Sequence, residues 1–165
     1  MLYVVMLGGR HPRAKIEVHD VVFAVAESLE GTYSQLREGW FGSPAGMHID
    51  SWMAVDGVEG YKLAFTDQAP AANDPRLYFI NLGGYETGIF GEAHSYLLVV
   101  ARDKAEAKAK GKRQLAELRW DKPHTDNLHD VDDCIPVDCV AGRYVHLVEG
   151  DNAGIRYGSD YIVLS

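Results

Sequence analysis

The chain has 165 residues, 47% of them apolar, enough for one domain or for two small halves that share a core. A formal charge of −8 excludes the broad cationic surface that nucleic-acid binding requires. Its two cysteines make neither a disulfide framework nor a four-ligand zinc site.

Residues 2–7 form a β-branched, apolar run that Gly8-Gly9 is expected to end with a turn. No charged region precedes it, as one would in a signal peptide, and no apolar run approaches the roughly 20 residues that span a bilayer. The expectation is a soluble, cytoplasmic protein with neither a nucleic-acid nor a membrane partner. After a polar loop around Pro12, residues 17–26, rich in Val and Phe, read as a strand. Ser28 then stands as N-cap to a helix with Leu29, Tyr33, Leu36 and Trp40 at helical spacing, ended by Gly42-Ser43-Pro44. Residues 49–55 and 60–65 flank Asp56-Gly57 and read as a hairpin. Prolines 70 and 75 mark a linker.

The same order then returns. Strands are expected over 77–82, before Gly83-Gly84, and over 92–101; a helix follows over 103–119, where Asp103 and Glu106 make a capping-box pattern. Further strands are expected over 127–131 and 143–148. Residues 150–165 turn at Asp151-Asn152 and Gly154 and end in a strand over 160–164, which would close a sheet edge of this chain or of a second subunit.

Laid without gaps, 2–28 on 77–103 gives 9 identities in 27 positions, and a repeat of this length predicts a duplicated structural unit. A second block, offset by 76, sets His48, Asp50, Val55 and Asp56 on His124, Asp126, Val131 and Asp132. The expected fold class is α+β: a tandem duplication of a β-β-α-β-β unit, pseudo-two-fold related, with largely antiparallel sheets and helices on one side. The expected organisation is a first repeat over 1–67, a linker over 68–76, a second repeat over 77–149 and a C-terminal extension over 150–165. A homodimer is the expected assembly.

The pattern Leu-Tyr-x-x-x-Leu-Gly-Gly, then Ile16-Glu17-x-His19-Asp20 with Phe23, then His48-Ile-Asp50-Ser-Trp52, resembles the bacterial domain-of-unknown-function family 1543. That family carries one or two copies of a short domain per protein, and the resemblance implies the duplicated organisation without lending an activity. The second half departs from the pattern at Ser95, where the first has Asp20.

Glu17 and His19, two apart on a strand, share a face at the polar end of an apolar row, as do Glu92 and His94. His48 and Asp50 form another such pair, matched by His124 and Asp126. Imidazole and carboxylate together are the ligand types for zinc, manganese or iron, so these eight residues are the candidate ligand-binding set, with a divalent metal as the only candidate cofactor. The plainer account gives each pair a structural role, satisfying buried polar groups or capping a loop. Arg10, His11, Arg13 and Lys15 offer an anion site or merely solvated charge. Lys104, Lys108, Lys110, Lys112 and Arg113 read as the outer face of the second helix.

No nucleophile elbow, phosphate loop or H-E-x-x-H motif is present. The leading expectation is therefore a non-catalytic module that binds a small molecule or a protein. The alternative is a metal-dependent, hydrolase-like enzyme using the Glu, His and Asp pairs.

Overall fold

A computed structural model describes residues 1–85, 87–115 and 131–164. The chain divides into two compact units: Met1–Leu63 with Val140–Arg143 and Val148–Ser165, and Ala64–Cys139 with Tyr144–Leu147.

In the first unit, β1 (Leu2–Gly9) is central. It pairs antiparallel with β2 (Val18–Val25) on one side and with β3 (His48–Val55) on the other. Alternation sends Tyr3, Val5 and Leu7 to one face, where they bury against Leu36 and Trp40 of the helical segment and against Met47, Ile49 and Leu164. Val4, Met6 and Gly8 look to the other face. The helical segment is shorter than its periodicity suggests. Ser28 Oγ accepts from the Gly31 amide at 3.3 Å, but the turn it caps is a 3-10 turn over Glu30–Thr32. The α-helix proper, α1, spans only Tyr33–Gly39, between two glycines that each weaken helix.

The hairpin after β3 also differs from expectation. β4 (Gly57–Val58) pairs with β5 (Tyr61–Thr66), so the turn residues are Glu59 and Gly60 rather than Asp56 and Gly57. Both have positive φ, 51° and 84°, the geometry of a two-residue turn that matches strand twist.

In the second unit, β6 (Arg76–Gly84) pairs antiparallel with β7 (Ala93–Ala101) and β8 (Val131–Pro136). α2 (Lys104–Leu115) packs on the sheet through Ala107, fully buried, and Gly111, where a Cβ would meet Ile80 and Val131 methyls at 3.0 Å. Its start is capped as expected, Asp103 Oδ1 accepting from the Glu106 amide at 2.8 Å. Glu106 reaches back one residue further, to the Arg102 amide. Cys134 is buried in this core and Cys139 is exposed; both are free thiols, and burial pushes the Cys134 thiol up. A further sheet has the order β4-β5-β10-β9, with β9 at Cys139–Val140 and β10 at Arg143–Glu149.

The C-terminal segment returns to β3. β11 (Ile155–Gly158) pairs with residues 52–55, β12 (Ile162–Val163) pairs with His48 and Ile49, and the Leu164 amide donates to Met47 O at 2.9 Å. Leu164, 3% exposed, plugs the core while Arg37 Nε holds its carbonyl. Leu164→Ala is expected to destabilise by about 2–5 kcal/mol, as a truncated core leucine does, and a urea titration checks it.

Strand makes up 48% and helix 14% of the described residues. The expectation of an α+β fold with helices on one side is thus overturned. The protein is mostly antiparallel sheet and closer to all-β, because the first helix is broken and short strand pairs occupy what read as loops. Among the described residues no helix is long and apolar enough to cross a membrane.

Candidate metal centre

Gly8 is the place to start. It belongs to β1 in extended conformation, so it does not form the expected turn. A Cβ there would sit 2.5 Å from His48 Nε2 and 2.7 Å from Asp50 Oδ2. Glycine is needed because the His48 and Asp50 side chains of β3 lie over it.

Four groups converge. Gly8 pairs with His19 on β2 and with His48 on β3, which brings both imidazoles to one face. Glu17 lies two residues before His19 on that face. Asp50 arrives by a β-bulge: Met6 pairs with Ser51 and Leu7 with Ile49, leaving Asp50 as the extra residue. His19 Nε2 lies 3.4 Å from Glu17 Oε1 and 3.2 Å from Asp50 Oδ2; His48 Nε2 lies 3.4 Å from Glu17 Oε1 and 3.3 Å from Asp50 Oδ1.

His48 shows what these contacts are. Its side chain is 3% exposed, and its Nδ1 lies 2.8 Å from Gly46 O. A carbonyl only accepts, so Nδ1 carries a proton, and in the neutral tautomer the Nε2 lone pair faces two carboxylates. His48 Nε2 and Asp50 Oδ2 are buried without a hydrogen-bond partner. Lone pairs facing carboxylates repel unless a cation lies between them. An imidazole whose other nitrogen donates to a backbone carbonyl is also the usual setting of a metal-bound histidine. Tyr161, from the segment between β11 and β12, lays its ring on His48 at a centroid distance of 4.4 Å. The centre is thus shielded at His48 and open at Glu17 and His19, whose side chains are 42% and 49% exposed.

The second unit carries a looser counterpart. Glu92, His94 and Asp132 bring ligand atoms within 4.8 Å of one another, over Gly83, where a Cβ would overlap Asp132 Oδ2. Asp132 is the bulge residue here, since Asn81 pairs with Asp133 and Leu82 with Val131. His94 Nε2 is 3.9 Å from Glu92 Oε2, and His94 Nδ1 is 3.1 Å from Asn81 Oδ1. Tyr96 stacks on His94 at 6.3 Å, its phenol pKa raised by burial and then by Asp132 and Asp133.

Of the eight sequence-derived candidates, the structure gathers Glu17, His19, His48 and Asp50 in one cluster and Glu92 and His94 in another. His124 and Asp126 lie outside the described residues. Sequence reasoning missed Asp132 in the role of Asp50, Gly8 and Gly83 as floors, and Tyr161 as cover. A pattern common to Ile49-Asp50 and Val131-Asp132, an aliphatic residue then Asp at the start of a strand, was the available signal for Asp132.

The molecule is thus an antiparallel-sheet protein with a His/carboxylate cluster at a glycine-floored strand end in each unit. The family profile described as a domain of unknown function, DUF1543, matches residues 14–65, which contain all four residues of the first cluster. The crystal structure of protein Il1583 from Idiomarina loihiensis is similar to the chain, with a TM-score of 0.73 and 32% identity, over 99% of this chain and 97% of that one. The chain carries a DUF1543 domain over residues 14–65 and is related over nearly its whole length to Il1583. No protein of curated function matches it.

Proposed function

We propose that this protein binds a divalent transition metal, zinc, manganese or iron, through Glu17, His19, His48 and Asp50. One observation carries the reading. His48 Nε2 and Asp50 Oδ2 are buried without a hydrogen-bond partner, in a cluster where each imidazole Nε2 lies 3.2–3.4 Å from a carboxylate oxygen of Glu17 and of Asp50. Two neutral imidazoles and two carboxylates suit a borderline ion and, with a +2 ion, leave the centre neutral. Glu92, His94 and Asp132, with one imidazole and ligand atoms within 4.8 Å of one another, make a second site. The exposed Glu17 and His19 leave the centre accessible from solvent, and a bound metal would supply Lewis acidity there.

The test is elemental analysis after stoichiometric zinc or manganese loading and gel filtration. About one metal per chain is expected to survive, and His19→Ala is expected to abolish it. A wild-type protein that emerges without metal overturns the reading.

A further inference from the structure

We infer that the first centre takes a phosphate group as its ligand, held jointly by the metal and by Arg10, Arg13 and Lys15; this rests on the metal-binding reading above. The three cations sit on the loop that joins β1 to β2, the two strands whose Gly8 and His19 face each other in the centre. One step beyond the last pair of that ladder, Gly9 with Val18, lie Arg10 and Glu17, and Glu17 is in contact with both histidines of the centre. Two residues span at most about 7 Å, so Arg10 from Gly8 and Lys15 from Glu17 both lie within a side chain's reach of the ligands.

The loop is built rather than loose. The Arg13 amide donates to His11 Nδ1 at 3.2 Å and the Ala14 amide to His11 O at 3.0 Å, while the His11 ring packs on Phe41 at 5.6 Å and Arg10 O accepts from the Ser43 amide at 2.7 Å. His11 therefore anchors the loop and leaves the three cations for solvent or a ligand. Arg10, Arg13 and Lys15 are exposed and make no salt bridge among the described residues, although the chain has 24 acidic residues against 16 basic ones. Asp20, the nearest acid on β2, pairs with Leu7 and so belongs to the opposite face.

Charge selects the ligand. Glu17 and Asp50 neutralise a divalent ion, so the loop contributes about three uncompensated positive charges beside a neutral centre. A phosphate dianion answers that excess better than a monocarboxylate does, and guanidinium forks match its oxygens. The comparable loop of the second unit reads Tyr85-Glu86-Thr87-Gly88-Ile89-Phe90-Gly91 and contains no cation, so the phosphate site belongs to the first unit alone. The exposed side of the centre, at Glu17 and His19, leaves room for the fifth ligand that a zinc ion accepts.

The experiment uses the full chain loaded with cobalt(II) or zinc, its metal content measured first. Inorganic phosphate is titrated by calorimetry and by the visible absorption of the cobalt form, with succinate as the dicarboxylate arm. Phosphate is expected to bind one site per chain and perturb the cobalt spectrum. The combined variant Arg10→Gln, Arg13→Gln and Lys15→Gln is expected to keep its metal and lose at least about tenfold in phosphate affinity. Metal retained with no phosphate binding, with equal binding by the variant, or with succinate bound as tightly overturns this inference and spares the metal-binding reading. A chain that holds no metal overturns both.

Discussion

Zinc at about one hundred times its Kd is expected to raise stability by about 2.7 kcal/mol, a rise in melting temperature of about 5–10 °C for a chain of this size; His48→Ala is expected to abolish the increment. The size follows from linkage, since the folded cluster binds the ion and the unfolded chain offers no gathered ligands. His48 is the decisive ligand because its Nδ1 is already committed to Gly46 O and its ring is held under Tyr161, so no rearrangement precedes binding. Removing it also opens a small cavity, which lowers the metal-free melting temperature. The increment on adding metal, measured for each variant against its own metal-free form, separates the two effects. His19→Ala, at an exposed position, serves as the second variant with little effect on folding. His94→Ala, in the looser cluster, is expected to leave most of the increment in place. Scanning calorimetry with and without zinc reads all four proteins, and an undiminished increment in both His48→Ala and His19→Ala would remove the first cluster from consideration.

How much of this was legible in the sequence depends on the range of the interaction. Glu17 with His19, and Glu92 with His94, follow from alternation along one strand and needed no fold. That His48 and Asp50 meet Glu17 and His19 did not follow, since a helical segment separates the pairs and strand order is a long-range property. Asp50 reaches the cluster by a bulge, and one extra residue against a partner strand has no single-sequence signature. The same device explains why identity matching misaligned the second block. At an offset of 76, Asp56 fell on Asp132, whereas the bulges place Asp132 where Asp50 stands. Fold class failed for a related reason. The two-residue strand β12 is held by β3, distant in sequence, and β4 and β9 are short arms of tight pairings with β5 and β10, whereas the strong local signals, the Leu29–Trp40 spacing among them, favoured helix.

Neighbouring glycines are expected to fail in different ways. Gly8 and Gly9 are consecutive in β1, so their missing side chains point to opposite faces of the sheet. A Cβ at Gly8 meets His48 Nε2 and Asp50 Oδ2; a Cβ at Gly9 meets the Trp40 ring at 2.9 Å and the Met47 backbone at 3.4 Å. Gly8→Ala is therefore expected to displace ligand atoms and weaken zinc binding by more than about tenfold, within the range that misplacing a metal's supporting groups produces. Its metal-free stability should also fall, because His48 is buried and held by Gly46 O, but the displaced atoms are ligand atoms and the loss of zinc affinity is the distinguishing effect. Gly9→Ala overpacks that core against a buried indole and is expected to destabilise by about 1–3 kcal/mol while keeping its metal. The pair is informative because the substitution is identical and the positions are adjacent, so backbone entropy, which favours alanine equally in both, cancels. Urea denaturation in chelator and zinc titration by calorimetry measure the two quantities. If both glycines proved to be turn residues, as their dipeptide suggests, both variants would lose stability alike and neither would lose metal selectively. The floor of a binding site and the wall of a core would then be indistinguishable at this strand end.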